Sequence, residues 1–238
     1  MKTAILAGGK GTRLGKRGES LPKALVEIGG KPIIWHIMMG YSHYGFKDFV
    51  IATGHRGEMI EQALSERRCF KRKGWSIIRA DTGGDSRTGE RIKRLAPFVG
   101  DRTFMLTWCD GLADIDLRQL VDFHRSHGRP ATVTAVPFQS MFGHLTLQGD
   151  RVAGFREKPK MPDVWINGAF FVLEPAALDY IEGHDMSWES RPMENLAMDG
   201  QLMAYRHRSF WHSMDTLKDH AFLENMWQKK NPPWKVWS

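Results

Sequence analysis

Short apolar runs of strand character alternate along the chain with stretches whose apolar residues recur at helical spacing. Thr3 to Leu6, FVIAT from Phe49, WSIIRA from Trp75, TFMLT from Thr103 and ATVTAV from Ala131 read as strands. Between them lie a helix opened by Pro32 through IIWHIMMGYSHYG, a helix from about Glu58, one over ERIKRLA and one over LRQLVDFHRSH. That rhythm predicts an α/β fold: a doubly wound, mixed but mostly parallel sheet covered on both faces. After Val136 the pattern changes. HLTLQ, RVAGFREK and GAFFVL follow closely, with Gly149-Asp150 as a turn between the first two, so a β-hairpin region is inserted. Helices near Ala176 and Met193, a strand at LMAYRH and a C-terminal helix and tail complete the reading. No linker or repeat separates two units, so residues 1–238 read as one domain with parts at 1–136, 137–215 and 216–238.

Composition narrows the picture. With 238 residues, 42% hydrophobic and 26% charged, the chain is long enough for one sizeable core. No apolar run approaches the roughly 20 residues of a membrane span, so no membrane partner and a cytoplasmic location are expected. Cys69 and Cys109 show no CxxC spacing, which points away from a disulfide framework or thiolate zinc site. The net charge of +7 suits a polyanionic ligand. The densest basic run, ERRCFKRK, lacks the interleaved aromatics of single-strand binding, so no nucleic-acid partner is expected.

In such a sheet ligands bind beyond the carboxyl ends of the strands, which directs attention to the loops there. The first, ILAGGKGTRLGKR, fits neither common phosphate fingerprint, because Leu14 stands where a dinucleotide motif needs glycine. What remains is still specific. Gly8, Gly9 and Gly11 let backbone amides approach an anion, Arg13 adds a fork of donors, and Lys23, past the Leu21-Pro22 step, offers a second cation. A plain glycine turn is the alternative. TWCDGLADID ends an apolar strand with Asp110, which alone is most simply a turn former or helix cap.

ILAGGKGTRL followed by PKALVEIGGKPIIWHI resembles the signature of the sugar-1-phosphate nucleotidylyltransferases. DTGGDSRTGERIKR, FREKP, WINGAFFVLEP, FWHSMDTL and the ending PWKVW point, within that family, to members acting on CTP and glucose 1-phosphate. The resemblance spans essentially the whole chain. It implies a Rossmann-like sheet of the nucleotide-diphospho-sugar transferase, or GT-A-like, type, with nucleotide bound by 1–136 and sugar by 137–215. It implies attack of a sugar 1-phosphate oxygen on the α-phosphorus of CTP, giving CDP-glucose and pyrophosphate with Mg²⁺ as cofactor. Arg13 and Lys23 then act on phosphates; Leu6, Ala7, Gly8, Gly9, Gly11, Thr12, Thr88, Gly89, Arg91 and Asp110 line the nucleotide. Gly89 would let the base lie against backbone, and Arg91 would reach phosphate or base. Asp110 and Asp215 hold the metal. Gly143, Glu157, Lys158, Asn167 and Gly168 hold the sugar phosphate, although Glu157 and Lys158 would face opposite sides of a regular strand.

A homo-oligomer also follows from the resemblance, although the segment between ATGHRGEMIEQAL and WSIIRADTG is shorter than in typical members, where it helps subunits associate. Glu90 stands where the family has glycine and would bring a carboxylate near phosphates or base. Another nucleotide or sugar 1-phosphate, or a non-catalytic nucleotide-sugar-binding paralogue, are the alternatives. The tail tryptophans Trp227, Trp234 and Trp237 either dock on their own domain, which aromatic burial favours, or form a subunit contact.

Overall fold

The computed structural model describes residues 1–11, 20–72 and 74–238. In chain order the elements are β1 (Lys2–Leu6), β2 (Glu27–Ile28), β3 (Lys31–Pro32), α1 (Ile33–His43), β4 (Asp48–Thr53), α2 (Gly57–Glu66) and β5 (Ser76–Asp81). There follow α3 (Thr88–Lys93), α4 (Ala96–Val99), β6 (Phe104–Trp108), β7 (Gly111–Ala113), α5 (Leu117–His127), β8 (Ala131–Gln139), β9 (His144–Gln148) and β10 (Arg151–Arg156). The chain closes with β11 (Lys160–Leu173), α6 (Arg191–Met198), β12 (Leu202–Arg206), β13 (Trp211–Ser213) and α7 (Leu217–Gln228).

A seven-stranded sheet runs β12-β8-β11-β6-β1-β4-β5. Of these strands β11 alone runs antiparallel, wedged between β8 and β6; every other pairing is parallel. The mixed, mostly parallel sheet expected from the apolar rhythm is what forms. Each face carries a core. One gathers α1, Phe49, Ile51, Met105, Val172 and the C-terminal tail; the other gathers Val50, Leu95, Leu106, Phe171, Trp188 and Leu196. Alternate residues of β4 and β6 therefore face opposite cores, which is why both strands read as unbroken apolar runs.

Local chemistry sets the ends of the clearest elements. Asp116 caps α5 by accepting from the amides of Arg118 and Gln119, and Gly128, at φ 63°, ends it. Three expectations need correction. The helix over ERIKRLA is two short helices, α3 and α4, because Pro97 starts a new turn after Leu95. The helix near Ala176 is a 3₁₀ segment, Pro175–Tyr180, whose proline also lies in the first turn. The strand read from Gly168 begins at Lys160 and bends through two register shifts. Trp234 and Trp237 are buried against Trp35 and His36, so the tail docks on its own domain.

Candidate active site

β1 lies between β4, to which the chain proceeds, and β6, which comes later on the other side, so the strand order reverses at its carboxyl end. A crevice at such a point is where open α/β sheets bind ligands. Leu6 and Ala7 are tied into it: the Cys109 amide donates to the Leu6 carbonyl at 3.1 Å, and the Ala7 amide to Ala52 at 2.8 Å. The glycines then divide their roles. A Cβ on Gly8 would collide with the Arg91 guanidinium, whereas one on Gly9 would meet open space, and Gly11 takes a left-handed φ of 65°. Thr12 and Arg13 lie outside the described residues.

Arg91 is turned into the protein. It is 3% exposed beneath the loop, donating to the carbonyls of Gly8, Thr53 and Ser86 and to the Thr82 hydroxyl at 2.5–3.3 Å. A Cβ on Gly54 would run into the same guanidinium. One guanidinium thus clamps the loops after β1, β4 and β5, a use its five donors suit. Thr53, Gly54, Thr82 and Ser86 are partners the sequence reading missed; Gly54 directly after FVIAT was the available signal.

Lys23, Asp110 and Asp215 converge. Lys23 sits on a 3₁₀ turn anchored by buried Ala24 and Leu25, and its Nζ lies 2.6 Å from Asp110 Oδ2 and 2.9 Å from Asp215 Oδ1. Burial alone would lower the lysine pKa, but Asp110 and then Asp215 more than offset it and hold the value above that of ordinary lysine. Two aspartates far apart in sequence meet because β7 pairs antiparallel with β13, Gly111 opposite Ser213, and the Met214 amide donates to the Asp110 carbonyl at 3.0 Å. Asp215 is further fixed by the cap of α7, where the Asp219 carboxylate accepts from the amides of Asp215 and Thr216 at 3.2 and 2.7 Å. Two hard carboxylate donors converging on one cation, here an ammonium, suit a divalent ion that takes its remaining ligands from phosphates and water. The donor set fits such an ion.

The third loop folds back on the chain. Thr88 donates its hydroxyl to Glu189 at 2.6 Å and accepts from the Trp188 amide, and a Cβ on Gly89 would lie 2.6 Å from the Met186 carbonyl. Gly89 therefore packs closely against that carbonyl. Glu90 is held by Arg94 at 2.7 Å, and that ion pair, one helical turn apart, occupies the carboxylate expected near the phosphates.

The sugar candidates gather at the base of the β9-β10 hairpin and on β11. β10 ends at Arg156, and Lys158 takes a left-handed φ of 45°, which brings its Nζ to 3.5 Å from Glu157 Oε1. The opposite-face conflict disappears because neither residue lies on a strand. Gly143 packs under the Phe155 ring near Glu157. Asn167 and Gly168 enter a bulge of β11: the Asn167 side chain accepts from the Ala169 amide, Ala169 has φ 60°, and the Gly168 carbonyl accepts from Trp211 Nε1 at 2.8 Å. Since Trp211 opens β13, the bulge is tied to the ribbon that carries both aspartates.

Comparison with known proteins agrees with this geometry. The family described as nucleotidyl transferase matches residues 2–216. A glucose-1-phosphate cytidylyltransferase of Salmonella typhi is 44% identical over 256 residues, covering 100% of both chains. A mannose-1-phosphate guanyltransferase of Aspergillus fumigatus is 32% identical, over 92% of this chain and 62% of its own length. Among solved structures, a UDP-glucose pyrophosphorylase complexed with UDP-glucose superposes with a TM-score of 0.71 at 16% identity, covering 97% of this chain and 99% of that one. HddC from Yersinia pseudotuberculosis gives 0.74 at 20% identity, over 95% and 99%. These two likenesses show the sheet architecture.

Proposed function

The chain belongs to the nucleotidyl transferase family, and from that premise we propose that it joins CTP to glucose 1-phosphate, releasing pyrophosphate and CDP-glucose. The observation that carries the reading is the Lys23–Asp110–Asp215 cluster at the switch point of the sheet, on a chain identical at 44% of positions to a glucose-1-phosphate cytidylyltransferase. A phosphate oxygen of the sugar forms the new bond to the α-phosphorus as the bond to the bridging oxygen of the β-phosphate breaks, and the pyrophosphate carries away that electron pair. No covalent nucleophile is needed; alignment and neutralisation of charge do the work.

The amides of Gly9 and Gly11, with Arg13, would hold the departing phosphates, and Lys23 would place its ammonium on a phosphate oxygen. Asp110 and Asp215 would hold Mg²⁺, a hard cation matched to their oxygens, which when bound polarises the phosphoryl group. Thr88 and Gly89 are assigned to the nucleoside side. Gly143, Glu157, Lys158, Asn167 and Gly168 are assigned to the sugar phosphate, the last two lying in the bulge that Trp211 fastens to the aspartate ribbon.

No helix among the described residues is long and apolar enough to cross a membrane, and a cytoplasmic setting suits free Cys69 and Cys109. Self-association belongs to the same reading. Met141, Phe142, Leu145, Leu147, Val152 and Phe155 are all at least half exposed on and beside the β9-β10 hairpin, whose two strands pair only with each other among the described residues. A second copy can extend that ribbon by pairing edge to edge. Sedimentation of the wild type and of Leu147→Asp tests this, since a wild type that is already monomeric at micromolar concentration removes the proposal.

Pyrophosphate release with glucose 1-phosphate and Mg²⁺, run in parallel with CTP, UTP, dTTP, GTP and ATP, tests the activity. Preference for CTP supports the whole assignment; release with a different nucleotide keeps the reaction and moves the base; no release with any of the five, or with other sugar 1-phosphates, overturns it in favour of a non-catalytic paralogue.

A further inference from the structure

Lys23 occupies the place its neighbours would offer a metal. Its ammonium touches one oxygen of each aspartate, at 2.6 and 2.9 Å, and its side chain is only 12% exposed, so this is a seated ion pair and not a passing surface contact. The backbone beneath it is held by the 3₁₀ turn with buried Ala24 and Leu25, and the four-carbon stem above carries the rotatable bonds that a second position of the ammonium requires. Charge forces a choice between the two cations. A divalent cation seated on the Asp110 and Asp215 oxygens would stand at contact distance from the Lys23 ammonium, and like charges so close repel.

We propose that Lys23 is a resident counter-ion that holds the Asp110–Asp215 pair closed in the nucleotide-free enzyme and gives it up when metal and triphosphate arrive together. The inference rests on the proposed function for what arrives, and on the Lys23–Asp110–Asp215 contacts for what must leave. Lys23 then has two seats: the aspartates before binding, a phosphate oxygen after it. Because each seat is vacated only as the other ligand set forms, metal and nucleotide strengthen one another's binding, and that coupling is reciprocal. Without nucleotide, Lys23 competes with the metal and keeps its affinity low.

The test is Mn²⁺ binding to the nucleotide-free protein, followed by the electron paramagnetic resonance of free Mn²⁺. Lys23→Met should bind Mn²⁺ at least about tenfold more tightly than the wild type, the scale expected when one unit charge is removed a few ångström away. Lys23→Arg, which keeps the charge, should stay near the wild type. Lys23→Met combined with Asp110→Asn should lose the gain, locating the ion. Should the methionine variant not fold, Lys23→Gln replaces it and must show the same gain.

Unchanged or weaker Mn²⁺ binding in a folded neutral variant would overturn the proposal, because an ammonium that merely arranges the carboxylates would help the metal and not oppose it. The two readings fail separately. A wild type that releases pyrophosphate while its neutral variant gains no Mn²⁺ affinity sinks only the counter-ion; a gain in Mn²⁺ affinity without turnover on any nucleotide sinks only the activity.

Discussion

Asp110 and Asp215 carry the strongest prediction at the scale of single residues. Replacing either by asparagine keeps the shape but exchanges one acceptor oxygen for an NH₂ donor and removes a negative charge that the proposed metal and Lys23 both use. Turnover should fall at least about a hundredfold, with far-UV circular dichroism unchanged; near-normal turnover would break the metal assignment. Arg91 should behave oppositely, since its loss is felt first in stability. Arg91→Met removes a donor from the Gly8, Thr53 and Ser86 carbonyls, of which Gly8 keeps the His55 amide and Thr53 the Thr82 amide and hydroxyl, and should cost about 1–3 kcal/mol, read from the urea midpoint, with Arg91→Lys in between. An unshifted midpoint would show that the clamp contributes nothing to the fold. From sequence this arginine is simply a cation near phosphates; that it faces inward depends on Gly8 and Gly54 closing over it, a steric fact invisible until the loops are placed.

The C-terminal tail yields a prediction about an element. His36 on α1 lies 2.9 Å from the Ile28 carbonyl through Nε2, and the indole of Trp234 donates to its Nδ1 at a long 3.4 Å. A carbonyl only accepts and an indole only donates, so the two partners define a neutral ring with the proton on Nε2. Burial pushes the His36 pKa down to about 4, with the Ile28 carbonyl and Glu224 pulling weakly the other way. Between about pH 6.5 and 4 the unfolded chain therefore binds a proton that the folded chain refuses. Stability from this residue is complete above about pH 6.5 and is lost as pH falls toward 4, by about 3 kcal/mol in all. His36→Gln should flatten the fall of melting temperature across that window; a curve parallel to the wild type would mean the ring protonates freely. Trp234→Ala, emptying the same seat, should cost about 3–5 kcal/mol by thermal or urea melting.

Legibility differs between elements for the same kinds of reason. α5 runs from Leu117 to His127, as read, because its start and stop are local chemistry, an aspartate cap and a left-handed glycine. β7 and β13 are three residues each and have no local signature; they exist only because they find one another across the chain. That pairing brings Asp110 and Asp215 together, which is why the sequence could join them only through family resemblance. At Gly89 the sequence shows a glycine in a polar loop; that its Cβ position faces the Met186 carbonyl depends on a distant segment of the chain.

For the molecule as a whole the decisive strand is β11. It lies between β6 and β8, so the residues read as a nucleotide-binding part do not form a continuous sheet without a strand from the sugar-binding part. A fragment ending at residue 136 should lose the cooperative unfolding transition of the full chain and be degraded rapidly in limited proteolysis; a sharp melt from that fragment would show that it folds alone. The alternation of apolar runs sufficed to foretell a doubly wound sheet, but the central place of one antiparallel strand depends on long-range pairing that no local pattern encodes.

The β7–β13 ribbon also sets where the chain can tolerate a change in length. The spacing of the two aspartates is held by register, Gly111 against Ser213 and Trp211 against Ala113, and a slip of one residue turns every side chain of a strand to its other face. A single residue gained or lost between Trp211 and Asp215 would thus leave the composition almost untouched while aiming a carboxylate away from its partner. At the Gly149 turn of the hairpin, the same insertion would lengthen a solvent-exposed tip. The molecule is accordingly strict about length in the β7–β13 ribbon and permissive at the tip of the β9–β10 hairpin.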